Sequence, residues 1–378
     1  MKHSFTDKII EILNKHFDNE GEQIFQNSEL LKYLNYKTKS ANRGSKSRGS
    51  FGAIYSIYTL VEDYCKNNYQ NRDDYNKYEG ATQNNLINKQ RELPFGRKLQ
   101  NHYFQNRTNS EYRKLSPLSE FDRIIIHDQQ NSKYWINENL LKIKLGKHSF
   151  NIAEAVIDIV NAYIDTKRSA FHNFIVTCQK LISIENEQPQ EIKVFILGLL
   201  EPNIDARIFE IVSYSILKAK YNEESVFFGF SEKTIEEENL KLYKTGRTNA
   251  NDGGIDFVMK PLGRFFQVTE TTDVKKYFLD IDKLEKFPIT FVVKSTDTIE
   301  NLRAKIKEGA EQQYSIEAIV NKYIQSVEEI INLDKLKEAF EIVEAKGKVN
   351  EVLNEILIQS KVEFNYEEED GDEENTND

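Results

Sequence analysis

Carboxylate, amide and hydroxyl side chains lie close together in one short stretch of the chain, residues 252–270. Asp256 follows two glycines and an isoleucine, and Gln267 and Thr269 come two residues apart shortly afterwards. The glycines let the backbone bend sharply and leave space for a ligand beside the carboxylate. Oxygen ligands of this kind suit a hard cation such as Mg²⁺. The stretch is therefore a candidate metal site; the alternative is that Asp256 is only a turn residue.

The same stretch predicts two short strands, residues 252–260 and 265–270, joined by a tight turn at Pro261-Leu262-Gly263-Arg264. Alternation places Gln267 and Thr269 on one face of the second strand and Glu270 on the other. Burying the Gln267 amide without a partner would cost roughly 1–3 kcal/mol. We expect it to bind a ligand, with a structural hydrogen bond as the alternative.

Glu210 is the third candidate of this site. It lies in a predicted helix that begins after Asn203 as the cap and runs to about Tyr221. Its helical face is mostly apolar, so its carboxylate needs a cation, a hydrogen-bond donor or a raised pKa. The alternative is a surface side chain whose carboxylate reaches solvent.

The elements around these residues predict a mixed α/β fold. The expected order is the Glu210 helix, a strand at 225–230, an acidic helical piece, and a basic loop with Lys241, Lys244 and Arg247. The two strands above, an amphipathic helix at 273–287 and an apolar strand at 288–293 follow. A strand that is apolar on both faces is typical of the interior of a covered sheet. Residues 297–360 are predicted as helices.

The N-terminal part is predicted to be mainly helical, with a small β element near residues 123–145. Two basic segments, 37–50 and 89–114, combine Lys and Arg with Ser, Asn and Gln, which suits contacts with DNA phosphates and bases. The alternative is a solvated loop or polar helix face. The predicted DNA-binding residues are Lys37, Lys39, Arg43, Lys46, Arg48, Arg97, Lys98, Asn101, Arg107, Lys244 and Arg247.

Composition limits the partners and the compartment. The net charge is −10, but eight acids and no base lie in Glu367–Asp378, so the rest is close to neutral. We expect that tail to be disordered. No apolar run is long enough to span a membrane, and the start lacks the apolar stretch of a secretory signal. Cys65 and Cys178 lie far apart, which favours a reducing, bacterial cytoplasm over a disulfide or zinc framework.

With this order of elements, Glu210, Asp256 and Gln267-Val268-Thr269 resemble the PD-(D/E)XK nuclease superfamily. The glycines before Asp256, followed by a strand with Gln267, look like its Mrr-like branch with the Gln variant. The long extra domain is similar to type II restriction endonucleases. The resemblance covers about residues 203–295. It implies an αβββαβ nuclease core with a mixed sheet, a largely helical N-terminal domain and C-terminal helices.

The resemblance also implies roles for the site residues. Asp256 would bind Mg²⁺, with Mn²⁺ as a possible substitute, Gln267 would replace the second acid, and Glu210 would complete the metal site. Thr269 stands where the family pattern has a catalytic lysine, which orients water and stabilises charge on the phosphate. Lys275 or Lys276 at the start of the next helix, or Lys260, are the candidate replacements. Glu270 is the acid of a rival register.

The implied activity is site-specific hydrolysis of phosphodiester bonds in double-stranded DNA. Two active centres in a homodimer would match a palindromic site, and a companion DNA methyltransferase would act on the same sequence. The alternatives are a catalytically decayed DNA-binding protein and a modification-dependent Mrr-type endonuclease. The predicted organisation is a DNA-recognition domain (1–150), a connector (151–202), the nuclease core (203–296), C-terminal helices (297–365) and the tail (366–378).

Overall fold

The chain divides into two units, Met1–Phe174 and Ile175–Asp378. The structure is a computed structural model, and it describes residues 2–39, 41, 47–97, 99, 101–183, 189–202, 204–245, 255–270 and 274–364. Within these residues the chain forms fourteen α-helices and twelve β-strands. The predicted mixed α/β class is confirmed. None of the described helices is both long and apolar enough to cross a membrane.

The first unit is mainly helical with two small antiparallel sheets. Its helices are α1 (Thr6–His16), α2 (Gly21–Asn27), α3 (Glu29–Thr38), α4 (Ser47–Lys66), α5 (Gln83–Glu92), α6 (Thr108–Leu115) and α7 (Ala153–Ser183). Its strands are β1 (Ala81–Thr82), β2 (Ile125–Asp128), β3 (Lys133–Ile136), β4 (Lys142–Leu145) and β5 (His148–Asn151). The sheet order is β1-β3-β2, and β4 and β5 form a hairpin.

One apolar core joins the elements of the first unit. Its largest fully buried members are aromatic, and they include Tyr33, Tyr55, Phe104, Tyr112 and Tyr163. Aromatic side chains bury large areas, so these positions contribute a large part of the continuous core. The unit boundary falls inside α7, whose first turns belong to this core.

The second unit is built on a five-stranded sheet. Its helices are α8 (Pro189–Gly198), α9 (Ala206–Tyr221), α10 (Val274–Lys283), α11 (Ile299–Gln313), α12 (Glu317–Ser326), α13 (Leu333–Ala345) and α14 (Val349–Phe364). Its strands are β6 (Ser225–Phe228), β7 (Glu236–Asn239), β8 (Lys241–Lys244), β9 (Phe257–Lys260), β10 (Arg264–Thr269), β11 (Ile289–Val293) and β12 (Val327–Ile331). The sheet order is β12-β11-β10-β9-β8.

The sheet changes strand direction at β10. Strands β8, β9 and β10 form an antiparallel meander, whereas β10, β11 and β12 are parallel neighbours. The turn between β9 and β10 closes with a 2.9 Å hydrogen bond from Gly263 N to Met259 O. Gly263 has φ +66°, a conformation that glycine adopts without strain. The predicted pair of strands and its turn are therefore present, but the first strand begins at Phe257, and residues 252–254 lie outside the described part of the chain.

Helices cover both faces of this sheet. Tyr214 and Tyr221 of α9 contact Phe257 and Phe266 on one face. On the other face, Tyr277 of α10 packs on Phe291 at 4.6 Å between ring centroids. All five residues of β11 are buried, as predicted for a central strand. Helices α13 and α14 pack on the outer side of α9. The end of the sheet that carries Asp256 thus lies between α9 and α10.

The structure differs from the sequence-based assignment in four segments. The predicted strand at 225–230 is not part of the main sheet, because β6 pairs with β7 in a separate hairpin. The first strand of the meander is β8, in the segment predicted as a basic loop, and β7 lies in the segment predicted as acidic helix. Strand β12 interrupts the predicted C-terminal helices and adds a fifth strand. Very short strands with charged ends carry little period-two signal, which explains these differences.

Candidate functional site

Asp256 lies where three strands meet, directly before β9. Its N–H donates to Phe266 O at 2.9 Å, and its carbonyl accepts from Thr245 N at 2.9 Å. Its carboxylate oxygen Oδ2 accepts a 2.7 Å hydrogen bond from Val268 N. The side chain thus takes the place of a backbone acceptor in the β-ladder. This fixes the orientation of a partly buried carboxylate at the end of the sheet.

Glu210 approaches the same point from α9. The N-cap of this helix is Asp205, whose carboxylate accepts from Arg207 N at 2.6 Å; the predicted cap, Asn203, lies outside the described residues. Glu210 is only 9% exposed, so the alternative of a surface side chain is wrong. Its carboxylate lies 3.3 Å from Lys244 Nζ and 3.9 Å from Arg207 NH1.

The two carboxylates interact with each other. Burial, followed by the charge of Glu210, raises the pKa of Asp256 to about 7, against the Val268 hydrogen bond and the charges of Lys276 and Lys244. Burial also raises the pKa of Glu210, although Lys244 and Arg207 oppose the shift. Like charges held close together in a poorly solvated place favour a shared proton or a bound cation.

Gln267 and Thr269 of β10 are both buried beside Asp256. Asp256 N donates to Phe266 O and Asp256 Oδ2 accepts from Val268 N, so Asp256 binds the backbone of β10 on either side of Gln267. Gln267 Nε2 donates to Val268 O at 3.2 Å, while its Oε1 is buried without a hydrogen-bond partner. A buried amide oxygen left in this state costs roughly 1–3 kcal/mol. The structural hydrogen bond offered as an alternative uses only the amide nitrogen, so Oε1 is free to accept a ligand.

Lys276 is the lysine that reaches Thr269. Its Nζ donates to Thr269 Oγ1 at 3.2 Å, and its charge lowers the pKa of Asp256 against the effect of burial. The neighbouring candidate, Lys275, is exposed. Lys260 lies at the opposite end of β9, with its Nζ 5.5 Å from the ring centroid of Tyr243. Lys276 thus contacts the predicted site through Thr269.

Glu270 is held in a separate ion pair on the other face of β10. Its Oε1 accepts from Lys294 Nζ at 2.8 Å, and this ammonium also donates to Ile204 O before α9. Lys294 N in turn donates to Thr269 O at 2.8 Å. The side chain of Lys294 is 3% exposed. This pair ties the end of β10 to the start of the helix that carries Glu210, and Glu270 therefore acts as an anchor.

The oxygen atoms of this site fit a hard cation. The described residues contain no group of three or more His, Cys, Asp or Glu in a metal-binding arrangement. The site presents two acids, Asp256 and Glu210, and its further donor is the amide oxygen of Gln267. A cation there would neutralise the like-charged pair and would satisfy Gln267 Oε1. The donor set suits Mg²⁺ or Mn²⁺ better than zinc.

The predicted DNA-binding residues occupy different environments. Lys37 is buried and paired with Glu111, and Lys244 belongs to the carboxylate site. Lys39, Arg97, Asn101 and Arg107 are exposed. Arg107 also donates to Glu111 at 3.1 Å and stacks over Tyr103. Four others, Arg43, Lys46, Lys98 and Arg247, and the side chain of Arg48 lie outside the described residues. Among the predicted residues that the structure describes, the exposed group is accessible to a ligand from solvent.

Two residues of the site were not identified from the sequence. Arg207 lies three positions before Glu210, a spacing that places both on one side of a helix and that offered a usable signal. Glu363 of α14 lies 3.4 Å from Arg207 NH1, and no local pattern connects it to a helix so distant in the sequence.

No protein-family model, curated protein or solved structure matches this chain.

Proposed function

We propose that this chain is a Mg²⁺-dependent endonuclease that hydrolyses phosphodiester bonds in double-stranded DNA at a defined sequence, as type II restriction enzymes do. One observation carries the proposal. Two carboxylates from separate elements, Glu210 and Asp256, interact at the end of a sheet beside the buried, unpartnered Oε1 of Gln267. Glu210 also pairs with Lys244 and Arg207, yet burial and Glu210 together still raise the pKa of Asp256, and a buried acid with a strongly raised pKa is typical of a functional site.

The order of elements supports the same proposal. Helix α9 is followed by the meander β8–β9–β10, helix α10 and the parallel strand β11. Apart from the separate β6–β7 hairpin between α9 and β8, this succession agrees with the αβββαβ order that the resemblance to the PD-(D/E)XK superfamily implies. The three residues of the resemblance, Glu210, Asp256 and Gln267, lie on α9, before β9 and on β10. Fold alone does not define an activity, so the site residues carry more weight than this agreement.

Each site residue has a proposed role. Asp256, Glu210 and Gln267 Oε1 would hold the metal ion. When bound, Mg²⁺ supplies Lewis-acid chemistry and neutralises charge at the scissile phosphate. Lys276 takes the role of the lysine that is absent at position 269, with Thr269 Oγ1 positioning its ammonium. That ammonium orients the attacking water and stabilises negative charge as it develops on the phosphate oxygens.

The proposal includes the partners expected for a restriction enzyme. The first unit, with exposed Arg97, Asn101 and Arg107, would contact the DNA duplex. A homodimer would supply the second active centre needed to cut both strands of a palindromic site. A DNA methyltransferase of the same specificity would protect the host DNA.

Digestion of DNA of known sequence tests this proposal directly. Purified protein with Mg²⁺ should give discrete fragments whose mapped ends share one sequence. Asp256→Asn should reduce cleavage by at least about 100-fold, as expected when a metal ligand is lost, and should leave DNA binding largely intact. Asp297→Asn is the matched control, because Asp297 forms an exposed pair with Lys305. Retained cutting by Asp256→Asn would refute the site assignment.

Thr269 favours one alternative, a catalytically decayed nuclease fold that only binds DNA. Calorimetric titration with Mg²⁺ or Mn²⁺ separates the two, since a decayed site would not bind the metal.

The modification-dependent alternative makes a different prediction. Cutting restricted to methylated DNA, with unmethylated DNA left intact, would select it.

A further inference from the structure

Helix α14 brings an additional carboxylate to the edge of the site. Arg207 NH1 lies 3.4 Å from Glu363 Oε1 and 3.9 Å from Glu210 Oε2. The side chains of Glu363 and Glu210 are each 11% exposed, whereas that of Arg207 is 24% exposed. The guanidinium is therefore shared between two acids, and the Arg207 side chain is more exposed to solvent than either of them.

Arg207 has the chemistry of a phosphate ligand. A guanidinium is always charged and can bind two phosphate oxygens with parallel hydrogen bonds. Lys244 already lies on the other oxygen of Glu210, at 3.3 Å, so Glu210 does not depend on Arg207 for a counter-charge. The contact that a phosphate would replace is the one with Glu363.

We propose that Arg207 binds a phosphate group of the nucleic acid and that Glu363 is its intramolecular competitor. This inference rests on the proposed function. Before substrate arrives, the carboxylate of Glu363 occupies the guanidinium; the phosphate then displaces it. The sequence beyond α14 carries eight more acids in Glu367–Asp378, so the same end of the chain adds negative charge that repels a polyanion. The ion pair between Glu363 and Arg207 therefore weakens nucleic-acid binding. It favours ligands whose phosphate group binds Arg207 strongly enough to displace Glu363.

A second ion pair between the same two helices provides a matched control. Lys218 of α9 and Glu355 of α14 lie 2.8 Å apart, and the Glu355 side chain is 15% exposed. This pair is about two turns of α14 away from Glu363. Glu355→Gln therefore removes the same charge from the same helix pair without changing the contact at Arg207.

Fluorescence anisotropy with a labelled DNA duplex, at low salt and without divalent metal, tests the proposal. Glu363→Gln should lower the Kd for DNA by about fivefold, a modest free-energy change for one displaced contact. Glu355→Gln should leave the Kd unchanged. Arg207→Gln should weaken binding, and Glu363→Gln should give no gain in that background. An equal gain from Glu355→Gln, or a gain that persists without Arg207, would overturn the proposal.

Inorganic pyrophosphate gives a readout that does not depend on DNA recognition. It should raise the melting temperature of Glu363→Gln more than that of the wild-type chain, and it should have the least effect on Arg207→Gln. If no variant binds DNA but the melting-temperature increase still ranks Glu363→Gln above wild type and wild type above Arg207→Gln, the nuclease proposal is refuted. The anion site at Arg207 is then supported. If pyrophosphate stabilises all variants equally, the competition by Glu363 is refuted.

Discussion

The two units of the chain differ in charge. Residues 1–174 contain 26 Lys and Arg against 20 Asp and Glu, whereas residues 175–378 contain 25 against 41. A polyanion is therefore attracted by the first unit and repelled by most of the second. If DNA is the substrate, the first unit supplies general affinity, and the second must supply local cations at its site. Lys244, Lys276 and Arg207 are these cations.

The pKa values of partly buried acids also shift in opposite directions in the two units. In the first unit, burial tends to raise the pKa of Glu111, but Lys37 and Arg107 outweigh it and lower that pKa. In the second, burial and the neighbouring Glu210 together raise the pKa of Asp256. Glu111 is a carboxylate whose partners are complete, and its role is structural. Asp256 is a carboxylate for which burial and the charge of Glu210 outweigh the charges of Lys276 and Lys244, so its pKa stays raised.

Replacement of Glu111 should have the largest effect on stability. Glu111→Gln leaves the buried ammonium of Lys37 without its counter-charge, so we expect the free energy of unfolding to fall by about 3 kcal/mol. Urea unfolding monitored by circular dichroism measures this change. Glu11→Gln, which removes an exposed pairing with Lys8 and Lys15, is the control and should change the free energy by less than about 1 kcal/mol. Equal effects of the two variants would contradict the structural role of Glu111.

Replacement of Asp256 should change stability in the opposite direction. Because its pKa is raised in the folded chain, folding takes up a proton between the unfolded pKa and about 7, and stability is lost as the pH rises through this window. Asp256→Asn should therefore stabilise the protein at pH 8, and leave it nearly unchanged at pH 4. The raised pKa of Asp256 limits the stabilisation by Asp256→Asn at pH 8 to roughly 4 kcal/mol. We expect about 2 kcal/mol, because the Asp256 side chain is partly exposed.

Thermal unfolding of wild-type and Asp256→Asn protein from pH 4 to pH 8 checks this prediction. The wild-type melting temperature should fall more steeply with pH than that of the variant. Mg²⁺ should restore the wild-type value at pH 8 and should have little effect on the variant. A variant that is less stable than the wild type at pH 8 would show that Asp256 is a structural acid like Glu111.

The role of Lys276 predicts a smaller effect, on the rate of cleavage. Lys276→Ala should lower kcat by about tenfold, or about 1.4 kcal/mol, with KM nearly unchanged, because its ammonium acts on charge that develops in the transition state. Lys275→Ala is the matched control on the same turn of α10, and it should be neutral because Lys275 is exposed. A plasmid-cleavage time course measures kcat for both variants. If Lys275→Ala lowers kcat more than Lys276→Ala does, Lys275 is the catalytic lysine.

Much of the second unit could be predicted from its sequence because the strongest patterns are local. The apolar run of β11, the turn at Gly263 and the helix of Glu210 each carry their own signal. Strands β7 and β8 do not: β7 is acidic and exposed along its whole length, and β8 contributes one buried residue, Leu242. Strand β12 follows α12 directly, and its apolar residues continue a helical pattern.

The site was predictable to the extent that its residues are close in sequence or carry an unusual side chain. Asp256 and Gln267 flank one hairpin, and Glu210 interrupts an apolar helix face. The contacts of Glu363 and Lys294 depend on how distant elements pack, so local spacing cannot identify them. Lys37 shows the converse error. Its basic neighbours suggested a DNA contact, but burial and Glu111 define its environment, and a charge count cannot detect a buried partner.

The smallest effect is expected at the surface of the first unit. Arg97 is exposed, so Arg97→Gln should weaken DNA binding a few-fold and reduce the slope of log Kd against log salt by about one. Lys77→Gln is the control, because Lys77 is an exposed cation of the same unit outside both basic segments. Lys37→Gln should lower stability without changing the salt slope, since its charge is already neutralised by Glu111. If Lys77→Gln alters the slope as much as Arg97→Gln, the unit attracts DNA only through its net charge. A slope that falls only with Arg97→Gln would instead place the basic segment 89–114 on the phosphate backbone.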